Sequence, residues 1–513
     1  MHRTIAVRQN TCWRDCVMRE LLSRISHKLH EVVLASEQAR WTKHAFQQQC
    51  DALAALVSEL DGACIAFQMD NSPAWISVDL VLSQCNKVAL PLPLFFTPAQ
   101  CEHALSESGA SWLFSDTELR NDTPFRTITV CECTLYVYRI NSKATHYFAG
   151  TRKITFTSGS TGLPKGVCLS QTSMMQVARS LGQRLSLEKP RHLCLLPLAV
   201  LLENVAGVYA PLLSDGQIIV PSLKSLGYLG SQLQAPDKLL ACISQFEPNT
   251  LILVPELLQL LVHACMQGWQ APKSLRFIAV GGARVDSHLL AQAIAFGLPV
   301  FQGYGLSEAG SVVALNNVDG QLTGVGEVLP HLEYKIEQGQ LYLKGPLFLG
   351  YLNGPEHRAD SWLATEDLAR QDGRGLVING RLKNQLILSN GRNVSPEWPE
   401  SMLLAQTGVL QVVVFGDARA HLVALIYAAS QLSDNQLTKL ISQTNDLLPD
   451  YARVASWHRL TQPLSAEAEL MTSNGRPRRD AIARHYQTEL NALYRTGTEA
   501  QALQPQILLE KSI

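Results

Sequence analysis

Ile154-Thr-Phe-Thr-Ser-Gly-Ser-Thr-Gly-Leu-Pro-Lys-Gly-Val167 runs from a strand-like segment into a loop crowded with glycines and hydroxyl side chains. Gly159 and Gly162 free the backbone to turn its N–H groups toward an anion. Thr157, Ser158, Ser160 and Thr161 add hydroxyl donors, and Lys165 brings a compact charge suited to the outer phosphates of a nucleotide. Gly166 follows that lysine where a Walker A loop has serine or threonine, so the spacing is of another kind.

Around this loop, from about residue 50 to 350, short β-rich runs alternate with helical patterns. Such alternation implies βαβ units and parallel sheets covered by helices. Leu251 to Val254 and Arg276 to Val280 are expected as buried strands. A Gly/Asn-rich stretch, Gly373 to Asn384, then precedes Leu410 to Phe415 and Leu422 to Tyr427, which predict the strands of a smaller α+β unit. The boundary between the two is expected near residues 379–384.

At 513 residues, with 46 % hydrophobic and 17 % charged side chains, the chain has material for two or three globular domains. Its 43 basic and 44 acidic residues give a net charge of -1, which leaves no basic excess to neutralise a nucleic-acid backbone. Twelve cysteines include one C-x-C pair, Cys131 and Cys133, and otherwise lack metal-ligand spacing. They are expected as reduced thiols of a cytoplasmic protein. The N-terminus carries Arg3, Arg8, Arg14 and Arg19 but no apolar core of signal-peptide length. Leu21, Leu22, Ile25, Leu29, Val32 and Val33 recur at helical spacing and predict an amphipathic helix. The most apolar window, Leu193 to Leu213, is interrupted by Pro197, Glu203, Asn204 and Pro211. It is expected as a core segment rather than a transmembrane span, with peripheral membrane contact left open.

The loop at 154–167 resembles the phosphate loop of the adenylate-forming superfamily, which includes acyl-CoA synthetases, adenylation domains of peptide synthetases, and luciferases. The resemblance continues in order from about residue 20 almost to the end. Gln302-Gly-Tyr-Gly-Leu-Ser-Glu308 is similar to a second core motif of that family. It implies Gln302, Gly303 and Tyr304 beside adenine, Ser307 on the α-phosphate side, and Glu308 as the Mg²⁺ ligand. A carboxylate is the right hard ligand for magnesium bridging phosphates. Gly281-Gly282-Ala283 looks like the family's turn next to adenine. In Thr365-Glu366-Asp367 the aspartate matches a ribose-binding residue, while Glu366 stands where relatives have glycine. Arg381 matches a second ribose contact, Lys383 the hinge, and Arg392 an arginine that meets the α-phosphate.

Near the C-terminus, Met471-Thr-Ser-Asn-Gly-Arg-Pro-Arg-Arg479 resembles the family's last core motif, with Arg476 where relatives place a catalytic lysine. Leu196-Pro-Leu-Ala-Val-Leu-Leu-Glu203 is similar to a string of long-chain acyl-CoA synthetases, with Val200 in place of histidine. That string and Ala206, Gly207 and Val208 after it look like the wall of an acyl site.

The resemblance implies an α/β fold: a large N-terminal domain of helix-covered mixed and parallel β-sheets (1–379), a hinge (380–384), and a small mobile α+β C-terminal domain (385–513). It implies ATP, Mg²⁺ and a thiol acceptor, either coenzyme A or the phosphopantetheine arm of a carrier protein. The expected activity is conversion of a carboxylic acid, a medium-to-long fatty acid with aryl acids left open, to acyl-AMP with release of pyrophosphate, then transfer to the thiol. Lys165, Glu308 and Arg476 are the expected catalytic residues. A non-catalytic nucleotide- or acyl-binding homologue is the contrasting expectation.

Overall fold

Apolar runs of four or five residues bounded by glycine, proline or asparagine become the buried strands here, because both of their faces are covered. In the computed structural model, residues 30–502 are described apart from 120–121, 144, 158–163, 231, 317–323, 374, 390–391 and 473–474. The predicted strands form as Thr250–Leu253 and Phe277–Val280, paired in parallel register with Ile278 opposite Leu251. With Arg191–Leu193 and Val300–Tyr304 they make the parallel centre of a nine-stranded sheet.

A second, eight-stranded sheet carries the phosphate-loop segment. Cys64–Gln68, Val88–Pro91 and Thr151–Thr157 run parallel, and Lys165–Ser170 folds back antiparallel on the last of them. A four-stranded antiparallel sheet contains Leu363–Asp372 and Gly375–Arg381. Val409–Phe415 and Leu422–Ala428 form with Val454–Arg459 a three-stranded sheet, flanked by the helices Glu397–Leu404 and Asp434–Asp446. The fold is thus mixed α/β, with a large N-terminal body and a small α+β C-terminal one.

One expectation changes. Val32 and Val33 belong to the strand Val32–Ala35, which pairs in parallel with Gln217–Ile219. β-branched side chains suit that half-covered sheet position, and the partner strand overrides a weak helical period. Leu21, Leu22, Ile25 and Leu29 lie outside the described residues. None of the described helices is long and apolar enough to cross a membrane.

The window from Leu193 to Leu213 is core, and its polar residues explain its shape. Glu203–Tyr209 is a π-helix that continues into the α-turn Ala210–Leu213. Glu203 is fully buried and meets His192 Nε2 at 2.9 Å, while His192 Nδ1 lies 3.0 Å from the Thr250 hydroxyl. Gly207 permits this approach, since a Cβ there would sit 2.6 Å from His192 Nε2. Asn204 and Tyr209, at the two ends of the π-helix, join a buried network. Lys153 Nζ pairs with Asp79 at 2.7 Å, donates to the Tyr209 hydroxyl at 3.0 Å and bonds Asn204 Oδ1. Tyr209 Oη and Asn204 Nδ2 in turn donate to Asp79 Oδ2 at 2.6 and 3.0 Å.

Removing one charge from this network strands the other away from water. Asp79→Ala is expected to cost about 3–5 kcal/mol, whereas the double change Asp79→Leu with Lys153→Met should cost far less. Denaturant midpoints of the three proteins check this; equal losses in the single and double variants would sink the explanation.

Candidate active site

Two paired strands flank the segment expected as a phosphate loop. Thr157, the last residue of Thr151–Thr157, pairs directly with Lys165, the first of Lys165–Ser170. Ser158, Gly159, Ser160, Thr161 and Gly162 lie outside the described residues. The Pro164 carbonyl, just before Lys165, meets His103 Nε2 at 3.1 Å. Lys165 itself is exposed at the rim of a large cleft of about 2720 Å³.

Parallel strands deliver the next group, because their C-terminal ends open into the same cleft. Gly281, Gly282 and Ala283 follow the strand Phe277–Val280, and Gly282 holds φ +85°, a left-handed conformation that favours glycine. Gln302, Gly303 and Tyr304 end the strand Val300–Tyr304, and Ser307 and Glu308 begin the 3₁₀ turn Ser307–Ala309. Gly305 between them allows no side chain, since a Cβ would lie 1.7 Å from the Ser311 carbonyl oxygen. All of these residues line the cleft.

Asp367 and Arg381 face one another across the antiparallel pair Leu363–Asp372 and Gly375–Arg381. Arg381 Nε lies 3.1 Å from Asp367 Oδ1, and Tyr304 Oη donates to Oδ2 at 2.5 Å. The carboxylate is 3 % exposed; burial pushes its pKa up, and Arg381 and Tyr304 oppose that rise. Glu366 next to it has φ +61°, so the residue found in place of glycine occupies a backbone well that glycine fills without strain.

From the C-terminal body, Arg476 reaches the cleft, and its Nη2 donates to the Gly282 carbonyl at 3.1 Å. Its side chain keeps contact with solvent in the open cleft, yet protein walls surround it. That loss of water, together with nearby Arg381, draws its pKa down, while Asp367 and Glu308 raise it. Arg392 is not brought to the cleft: its guanidinium lies 5.5 Å from the Tyr451 ring centroid, within the C-terminal body. Lys383 falls in the 3₁₀ turn Leu382–Asn384, and Asn384 Nδ2 donates to Glu397 Oε1 at 2.6 Å.

The acyl wall is partly as expected. Leu196, Pro197, Val200, Leu201, Leu202 and Ala206 line the cleft. Gly207 and Val208 do not; the π-helix turns them into the core, Gly207 against His192. Among the described residues, the cysteines form no disulfide, and Cys131 lies near the Ser77 hydroxyl. The grouping of His192, Cys194 and Glu203 is fully buried and held by the His192–Glu203 hydrogen bond. Sequence reasoning missed Tyr351, whose hydroxyl donates to Glu308 Oε1 at 2.6 Å. A lone Gly-Tyr pair 43 residues from that glutamate offers no local signal.

Chemically, the cleft brings together a lysine suited to phosphates, a carboxylate suited to a hard cation, and a buried carboxylate suited to a diol. Glu308 fits a magnesium ion, since it lines the cleft and Tyr351 occupies only one of its two oxygens.

A family model described as AMP-binding enzyme matches residues 24–352, and a model of the AMP-binding enzyme C-terminal domain matches 383–498. A 2-succinylbenzoate–CoA ligase of Haemophilus influenzae is 28 % identical over 330 residues, 62 % of this chain and 68 % of that protein. An indoleacetate–CoA ligase of Aromatoleum aromaticum is 29 % identical over 289 residues, 51 % of this chain and 54 % of that protein. An anthranilate CoA ligase solved with anthranoyl-AMP shares the fold, with a TM-score of 0.76 and 16 % identity over 92 % of this chain and 97 % of that one.

Asp367→Asn leaves the backbone in place but removes the charge. It is expected to raise the KM for ATP about tenfold, the scale of one hydrogen bond to a charged group, with little change in melting temperature. An unchanged KM would remove Asp367 from the nucleotide site.

Proposed function

The chain belongs to the family of AMP-binding enzymes, and we propose that it joins an aromatic carboxylic acid to coenzyme A through an acyl-adenylate. One observation carries this reading. Lys165, Ser307, Glu308, Asp367, Arg381 and Arg476, which come from separated stretches of sequence, line a single cleft.

Two half-reactions follow. A carboxylate oxygen of the acid attacks the α-phosphorus of ATP, the bond to the β-phosphate oxygen breaks, and pyrophosphate leaves. Lys165 and Arg476 offset the negative charge that develops, while Asp367, Arg381 and Tyr304 hold the nucleoside in place. A magnesium ion on Glu308 would supply charge neutralisation at the phosphates. The thiolate of coenzyme A then attacks the acyl carbon, the bond to AMP breaks, and AMP leaves. Rotation about Lys383, with residues 380–384 as the hinge between 1–379 and 385–513, would withdraw Arg476 from Gly282 and admit the thiol. Arg392, which lies over Tyr451 in the conformation described, would reach the cleft by that rotation.

The acid class differs from the fatty acid expected from the Leu196-Pro-Leu-Ala string. The relatives named above act on succinylbenzoate and indoleacetate, acids that carry a ring. Val200, where long-chain synthetases have histidine, leaves an apolar wall that suits the flat face of a ring as well as a chain. A second reading, an extended aliphatic acid, is favoured by the length of the apolar lining. It runs from Val200 past Ala210 to Leu181, Leu185 and Val325, and the cleft exceeds the roughly 300–1,000 Å³ of ordinary ligand pockets. Coenzyme A is preferred over a carrier protein as acceptor because the curated relatives named above are CoA ligases. The retained charged set speaks against a non-catalytic binding role. The described cysteines form no disulfide, which suits a reducing, cytoplasmic setting.

Acid-dependent ATP–pyrophosphate exchange, run over aryl acids and fatty acids of several lengths, tests the reading. Aryl acids are expected to exchange at least about tenfold faster; the reverse order would select the aliphatic reading, and silence with every acid would overturn both. Arg476→Ala is expected to slow exchange about 10²-fold, the scale of one lost charge-stabilising donor. Transfer from a preformed acyl-adenylate to coenzyme A should be little changed.

A further inference from the structure

Between the motif of Lys165 and the motif of Glu308 runs a short strap, residues 348–352, that is bonded to both. Phe348 N donates to the Glu308 carbonyl at 2.7 Å, and Leu352 N donates to the Gly166 carbonyl at 2.7 Å. Tyr351 pairs in antiparallel register with Val167, two residues beyond Lys165. Its side chain repeats what the backbone does. Tyr351 Oη donates to Glu308 Oε1 at 2.6 Å, and Lys165 Nζ lies 5.6 Å from the centroid of its ring. Phe348 packs edge-on against that ring at 5.1 Å and so limits its rotation.

We propose that Tyr351 is a positioning residue of the nucleotide site, holding Glu308 by one oxygen so that Oε2 alone is presented to the divalent cation, and seating the Lys165 ammonium beside it. The inference rests on the assignment above of Glu308 to the metal and Lys165 to the phosphates. Magnesium demands near-octahedral geometry, keeps several waters and takes one or two carboxylates, so a carboxylate restricted to one free oxygen suits it better than a chelating pair. Partners that orient a metal ligand typically change metal affinity 10–100-fold when removed. The ring face toward Lys165 adds a cation–π attraction that fixes where the ammonium rests.

The test uses the full-length protein with Mn²⁺ as the probe, its binding to the enzyme–ATP complex followed by the electron paramagnetic resonance of free Mn²⁺. Tyr351→Phe keeps the ring and removes the hydroxyl. It should weaken Mn²⁺ binding about tenfold while metal-free ATP binding stays within about twofold of the parent. In a Glu308→Gln background, adding Tyr351→Phe should weaken Mn²⁺ no further, because the two changes act on one ligand. Tyr351→Leu should in addition lower metal-free ATP affinity severalfold as Lys165 loses its seat. Mn²⁺ affinity unchanged in Tyr351→Phe, or the same loss in both backgrounds, would overturn the proposal for Glu308. Metal-free ATP affinity unchanged in Tyr351→Leu would overturn it for Lys165. Failure of the enzymatic reading would show separately, as absent pyrophosphate exchange with the dependence of Mn²⁺ binding on Tyr351 intact.

Discussion

Lys153 and Asp79 carry opposite charges 2.7 Å apart where neither meets water, and three elements of the site depend on where that pair sits. Lys153 belongs to the strand Thr151–Thr157, whose end is the foot of the phosphate loop. Asp79 projects from the helix Pro73–Gln84, and Asn204 and Tyr209 come from the π-helix behind the acyl wall. A buried pair adds little net stability, since the cost of removing both ions from water offsets most of their attraction. Its contribution is position. Asn204 and Tyr209 both reach Asp79 and stand five residues apart, the hydrogen-bond spacing of the π-helix that holds them. The segment lining the cleft from Leu196 to Ala206 and the strand that ends at Thr157 are therefore both tied to one buried charge pair.

Much of the fold was legible because periodicity and flanking residues speak locally. Thr250–Leu253, Phe277–Val280, Val409–Phe415 and Leu422–Ala428 formed within a residue or two of the runs that announced them. Each is a short apolar run rich in β-branched residues, with no helical period competing for it. Val32 and Val33 show the limit. Their helical spacing was real, but the strand Gln217–Ile219, nearly 190 residues later, decided their state. The π-helix was illegible for a similar reason. Glu203 and Asn204 could be recognised as polar interruptions in an apolar window, but their partners His192, Lys153 and Asp79 come from three other elements.

In the site itself, residue type and order were enough to gather Lys165, Glu308, Asp367, Arg381 and Arg476 into one cleft. What the chain could not disclose were the links between them. Tyr304 on Asp367 and Tyr351 on Glu308 are contacts across 63 and 43 residues, and the neighbours of neither tyrosine name its partner. Arg392 illustrates the converse. Its motif position implied a phosphate contact, but the structure places its guanidinium over the Tyr451 ring, within the C-terminal body.

That dependence on arrangement bears on Arg476. Its neighbour Arg479 is tied into the C-terminal body, donating to Glu400 Oε2 at 2.6 Å and to the Val414 carbonyl at 2.9 Å. The loop is thus anchored on one side while Arg476 extends to the Gly282 carbonyl on the other. Gln259 Nε2 donating to the Leu404 carbonyl at 2.7 Å is a second bond between the bodies. Such hydrogen bonds contribute about 0.5–1.5 kcal/mol each, which is too little to lock two bodies against thermal rotation. A guanidinium is well suited to this duty, since its fork can hold a backbone carbonyl with one nitrogen and leave the others for a phosphate oxygen. A lysine would meet the same two acceptors with a single ammonium. In the mechanism proposed above, the arginine would divide docking on the Gly282 carbonyl from charge stabilisation among different atoms, so that withdrawing it would break both contacts in one movement.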